Sequence, residues 1–179
     1  MFYISEVKNT PPATFKTTLQ EMVYRLLQEQ NVPFERVDND EAITMEDCII
    51  INRQLNMKTV KTLFLCNRQQ TAFYLFVTTA DKPFITKDFS RVMDIPRVSF
   101  APAELLDKML GTTIGATTIF GVLLDKDNQV QVVIDKDVLS EEDYGCSDGT
   151  TTSYIKVSRD WIMGDFLAYA GHVPKMIEI

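Results

Sequence analysis

Leu19, Met22, Val23, Leu26 and Leu27 recur at three- and four-residue spacing, which predicts an amphipathic helix over residues 14–30 with Thr14 as its N-cap. Asn31 closes that helix and Pro33 prevents it from resuming. An extended lead-in ending at Pro11 and Pro12 precedes it. Phe34 to Val37 reads as a short strand before the polar turn Asp38 to Asp40. Thr44 and Asp47 have capping-box spacing, so a second helix is expected from there to about Leu55.

Thr59 to Cys66 and Thr71 to Thr78 follow as neighbouring strands joined by the turn Asn67 to Gln70. Thr86 to Met93 reads as helix, Arg97 to Phe100 as a short strand, and Pro102 to Leu110 as a helix stopped by Gly111. Ile119 to Leu124 and Gln129 to Ile134 give the clearest hairpin pattern, with Asp125 to Asn128 as its turn. Ser153 to Val157 is another strand. Ser158 caps a helix that runs to Ala170 and ends at Gly171, and Pro174 to Ile179 forms a terminal strand. Interleaved strands and helices predict an α/β fold, with a mixed β-sheet surrounded by helices. No repeat or linker divides the chain, so residues 1–179 are expected to form one domain.

Composition narrows the function classes. The 45% hydrophobic and 24% charged content is that of an ordinary globular protein, and no apolar run approaches the ~20 residues of a membrane helix. The start, MFYISEVKNTPP, has neither a basic lead nor an apolar core of signal-peptide length, so a cytoplasmic location is expected. Cys48, Cys66 and Cys146 are odd in number and far apart, as suits reduced thiols. A net charge of −7 argues against indiscriminate nucleic-acid binding and against DNA as a partner. Local patches can still recognise one small part of an RNA. Arg53, Lys58 and Lys61 form one basic cluster, and Lys82, Lys87, Arg91 and Arg97 another, although scattered surface charge explains both.

The only histidine, His172, follows a helix in Gly171-His172-Val173-Pro174, where a structural role at the helix C-terminus is expected. One histidine and no CxxC pair leave no usual zinc site, and no Walker A or GxGxxG loop is present. No metal and no cofactor is expected. Three features remain. Lys61 shares a strand face with Leu63 and Leu65, either as a ligand contact for a carboxylate or phosphate or as a stem-packed lysine whose ammonium reaches water. The stretch Gly111 to Gly121 combines three glycines with four threonines, and Gly145 to Ser153 is a second small polar loop. Each reads either as an ordinary turn or as a place where a ligand approaches backbone amides.

The order of these features resembles the YbaK/prolyl-tRNA synthetase-associated domain family, particularly its free-standing prolyl-tRNA editing members. The likeness runs from about Leu19 to the C-terminus. It is carried by VPFERV (Val32 to Val37), AITMED (Ala42 to Asp47), VKTLFL (Val60 to Leu65), RVSFAPAELLDKMLGTTIGATTIFGVL (Arg97 to Leu123), VQVVID (Val130 to Asp135) and GHVPKMIEI (Gly171 to Ile179). The resemblance implies a trans-editing enzyme that hydrolyses the ester of a mischarged tRNA, such as alanyl- or cysteinyl-tRNA carrying the proline anticodon. It implies the aminoacyl-tRNA acceptor end as partner, with prolyl-tRNA synthetase as a second.

The family lysine falls on Lys61, which would hold the terminal adenosine and phosphate of the acceptor end. The family's glycine turn falls on Gly115 and Ala116, whose backbone amides would face the aminoacyl carbonyl. The substrate's own ribose hydroxyl would help to activate water. Substrate contacts would come from Thr62, Cys146, Ser147, Thr150 and Thr151. The chain departs from the family where His-Pro followed by Asn-Thr is common. Here Cys146 takes the histidine's place and Thr150 the asparagine's, and Thr62 stands where asparagine commonly follows the lysine. That departure motivates a second reading, a non-catalytic module that binds aminoacyl-tRNA or an amino acid. A third, an interaction protein without a pocket, predicts that Lys61 is solvated and that the two polar loops do not converge.

Overall fold

Caps and local pattern set most of the element boundaries in the computed structural model, which describes residues 1–179. Helix α1 spans Thr18–Glu29, and the Thr17 hydroxyl accepts from the Gln20 amide at 3.0 Å. Thr17, not Thr14, is therefore the N-cap. Strand β1 (Glu35–Asp38) follows, and the lead-in runs antiparallel beside it through the bridges Ile4–Asn39 and Lys8–Arg36. Helix α2 (Met45–Leu55) begins with the expected capping box. The Asp47 amide donates to Thr44 Oγ1 at 3.1 Å, and the Asp47 carboxylate accepts from the amides of Thr44 and Ile43 at 2.9 Å each. Those two amides hold the Asp47 carboxyl below the usual range.

Strands β2 (Val60–Cys66) and β3 (Phe73–Thr79) pair antiparallel, with Lys61 opposite Thr78. Helix α3 (Thr86–Met93), strand β4 (Ser99–Phe100) and helix α4 (Ala103–Leu110) come next, and α4 ends at Gly111 with φ +67°. Strand β5 (Val130–Asp135), β6 (Asp143–Ser147), β7 (Ser153–Ser158) and β8 (Lys175–Ile177) complete the strands. Between β7 and β8, α5 (Arg159–Trp161) passes through a π-helical turn (Ile162–Phe166) into α6 (Leu167–Tyr169).

The strands make two sheets. The larger is mixed, in the order β4-β2-β3-β5-β8, with β5 parallel to both β3 and β8. The smaller is antiparallel, in the order β1-β7-β6. One face of the large sheet (Phe64, Leu75, Val77, Val132, Ile134) packs on α1, α4, the final helices and the inner side of β6 and β7. Its other face (Leu65, Phe76, Val133) is covered by Phe89 and Met93 of α3. Helix α2 covers the outer face of the small sheet through Ile51 and Leu55. No helix is long and apolar enough to cross a membrane.

Two further sequence expectations fail. Ile119–Leu124 is a 3-10 helix, not a hairpin strand, and β5 inserts instead between β3 and β8. The run IFGVLL has no polar alternation, so burial on all sides suits a compact turn as well as a strand. Gly121 permits that turn, since a Cβ there would lie 2.9 Å from Leu110 Cβ. The second correction is that Gly145 to Ser147 belongs to β6, so the polar loop is confined to residues 148–152.

Candidate active site

Two glycines bring the two polar loops onto the first turn of α1. Gly111 (φ +67°) and Gly149 (φ +102°) both pack against Leu19, and a Cβ at Gly149 would lie 3.2 Å from Leu19 Cδ2. The loops also meet each other. A Cβ on Gly115 (φ +95°) would lie 3.6 Å from Thr151 Cγ2. Between Gly111–Thr113, Gly149–Thr152 and the start of α1 is a cleft of about 270 Å³ with no hydrophobic lining. Convergence of the loops removes the support for a protein without a pocket.

The loop after β6 is built on a buried carboxylate. Asp148 is fully buried and accepts from Tyr24 Oη at 2.7 Å, Gln20 Nε2 at 2.9 Å and Thr150 Oγ1 at 2.8 Å. No lysine or arginine pairs with it. Burial pushes its pKa up, against those hydrogen bonds, which favour the ionised form. Burial likewise raises the pKa of Tyr24. Ser147 ties the same loop by donating to the Thr150 carbonyl at 2.6 Å and accepting from the Gly149 amide at 3.1 Å. Asn39, just past β1, anchors it by donating to the Thr151 carbonyl at 3.2 Å.

The structure thus sets Thr150 and Thr151 in the lining of one cleft, with Gly115 against Thr151 at its edge and Ser147 and Cys146 buried. The Ala116 amide donates to the Thr113 carbonyl at 3.0 Å and so closes the turn, whereas the Gly115 amide has no acceptor in the protein. Cys146 is buried, and desolvation raises its thiol to about 12. Thr62 leaves β2 on the inner face, beside the buried Tyr144 hydroxyl.

Lys61 goes the other way. It shares the α3-side face with Leu63 and Leu65, and its ammonium donates to the Lys82 carbonyl. It is half-buried and makes no ion pair, so its charge is met by one neutral acceptor. Strand alternation foretold this face for Lys61, but the expectation that both polar loops converge with Lys61 in one pocket fails, because the loops pack on the opposite face of the sheet. Sequence reading also missed Gln20, Tyr24 and Asp148. Gln20 and Tyr24 stand at i and i+4 among the buried positions of α1, and that spacing was the available signal.

His172 is structural, as expected, though its partners are specific. Its Nε2 lies 2.8 Å from Asp125 Oδ2 and its Nδ1 2.8 Å from the Ala170 carbonyl.

Residues 40–162 match the aminoacyl-tRNA editing domain, and the chain belongs to that family. It is 30% identical over 120 residues to the prolyl-tRNA editing protein ProX of Acetoanaerobium sticklandii, covering 67% of this chain and 73% of that protein. Among solved structures, it is similar to a candidate trans-editing enzyme for prolyl-tRNA synthetase. The TM-score is 0.62 at 14% identity, over 92% of this chain and 99% of the other. It is also similar to the hypothetical protein APE2540, with a TM-score of 0.62 at 16% identity, over 87% and 97% of the two chains. Those two likenesses establish the mixed α/β fold.

Proposed function

We propose that the whole chain acts as a YbaK-like trans-editing deacylase, hydrolysing the ester of a mischarged tRNA such as alanyl- or cysteinyl-tRNA carrying the proline anticodon. The observation that carries this reading is the free Gly115 amide, in a turn that packs on Thr151 at the edge of a polar cleft, within a chain of the editing family. Water attacks the ester carbonyl, and the developing oxyanion accepts from the Gly115 amide, which the turn closed by Ala116 holds in place. The ribose hydroxyl next to the ester takes part in activating the water, so no protein base is required. The acyl–oxygen bond then breaks to release the amino acid and the tRNA. Thr150 and Thr151 contact the substrate, while Cys146 and Ser147 shape the wall behind it. Lys61, on the opposite face of the large sheet, takes no part at the ester; its ammonium exchanges the Lys82 carbonyl for a backbone phosphate of the tRNA away from the cleft. Prolyl-tRNA synthetase is the proposed partner, in the cytoplasm.

A deacylation assay over a panel of mischarged tRNAs tests this. Release of alanine or cysteine from tRNA with the proline anticodon, and not of proline, is the expected result. One observation favours a second reading. Cys146 is buried where the family commonly has histidine, as a binding module that has lost turnover would allow. Tight binding of the mischarged tRNA without amino-acid release would select that reading.

A further inference from the structure

The threonine-lined cleft holds polar groups that the chemistry above does not use. Thr112 is 3% exposed, lines the cleft, and its hydroxyl has no hydrogen-bond partner. Buried hydroxyls are rarely left unpaired, so this one points to a missing partner. At the same cleft, α1 presents its N-terminus. Thr17 takes up the amides of Gln20 and Glu21, whereas those of Thr18 and Leu19 have no acceptor in the protein. Such a helix end favours an anion. Lys16 stands at the mouth with its ammonium 2.6 Å from Thr152 Oγ1.

Two carboxylates must be reconciled with an anion. Asp148 lies beneath the floor, and three side-chain donors satisfy it. Asp107 is an exposed residue of the cleft lining and makes no ion pair. Such a carboxylate is what a ribose diol needs as acceptor. The volume, about 270 Å³, is below that of sites for drug-sized ligands, and no apolar wall is present to hold a base.

We propose that this cleft is a ribose-phosphate subsite, with the phosphate on Lys16 and the first amides of α1, and the sugar hydroxyls between Asp107 and Thr112. It rests on the deacylase reading in one respect, that the natural ligand is a nucleotide unit of the RNA acceptor strand, seated beside Gly115. This anchor lies on the same side of the large sheet as the glycine loops, whereas Lys61 does not.

The test is titration of the full chain with ribose 5-phosphate, followed by amide NMR. Shifts at Thr18, Leu19, Thr112 and Thr151 are expected. Lys16→Ala and Thr112→Val should each weaken binding about tenfold, as loss of a charge-assisted or buried hydrogen bond does. Lys126→Ala, on the exposed turn before β5, should bind as the wild type does. Inorganic phosphate should bind more weakly than the sugar phosphate. The proposal is overturned if millimolar ribose 5-phosphate leaves those amides unmoved, or if inorganic phosphate binds equally well. No aminoacyl-tRNA enters the measurement. A chain that binds ribose 5-phosphate yet fails to deacylate keeps this subsite and loses the enzymatic reading.

Discussion

The Asp148 carboxylate accepts from the Tyr24 hydroxyl at 2.7 Å, 124 residues away in sequence, with no cation paired to it. This relationship fixes the 148–152 loop on α1, and it carries an electrostatic cost. Burial raises the Asp148 pKa above its ordinary value of 3.8, so the folded state binds a proton more tightly than the unfolded chain. The corresponding stability is fully present below the ordinary value. It is lost as pH rises from there through the raised folded pKa.

Asp148→Asn keeps an acceptor for Tyr24 and removes the ionisation. The variant should therefore gain stability relative to the wild type as pH rises across that window. Urea unfolding at pH 4 and pH 7 checks this. A stability difference independent of pH would show that Asp148 does not titrate with folding.

Gly149 and Gly115 have similar φ but different surroundings. Gly115→Ala meets Thr151 Cγ2 only at 3.6 Å, so its cost is the backbone strain of about 1–2 kcal/mol. Gly149→Ala adds contact with Leu19 at 3.2 Å and should cost about 1–3 kcal/mol more. Thermal melts rank the two. In deacylation, Gly115→Ala should lower kcat more than its stability loss explains, because it displaces the amide proposed to stabilise the oxyanion.

Lys61→Ala should raise KM for mischarged tRNA by about 10- to 100-fold, equivalent to about 1.5–3 kcal/mol for one charge-assisted contact. Stability should fall by no more than about 1.5 kcal/mol, since only the bond to the Lys82 carbonyl is lost. Early melting with full activity per folded molecule would make Lys61 structural.

Cys146→Ser should retain most of the turnover. A buried thiol raised to about 12 is almost wholly protonated at neutral pH and is a poor nucleophile. Mass spectrometry of a quenched reaction should find no aminoacyl thioester on Cys146, and iodoacetamide should modify it only after unfolding.

Much of the fold and part of the site were legible along the chain. The Thr44–Asp47 capping box, the stops at Gly111 and Gly171 and the β2–β3 pair depend on residues close in sequence. Local hydrogen bonds and backbone sterics decide such features, so position along the chain is enough. The alternation of β2 likewise set Lys61 and Thr62 on opposite faces.

What depended on distant segments was not legible. IFGVLL satisfies burial equally as strand or as 3-10 turn, and only the space between α1 and α4 chose the turn. The place of β5 between β3 and β8 was settled by sheet pairing far along the chain. The glycine loops lie opposite Lys61 because Gly111 and Gly149 both pack on Leu19. Asp148, written among turn residues, became a buried carboxylate when α1 supplied Gln20 and Tyr24. Burial and electrostatic environment are sums over neighbours in space, and only the folded chain assembles those neighbours.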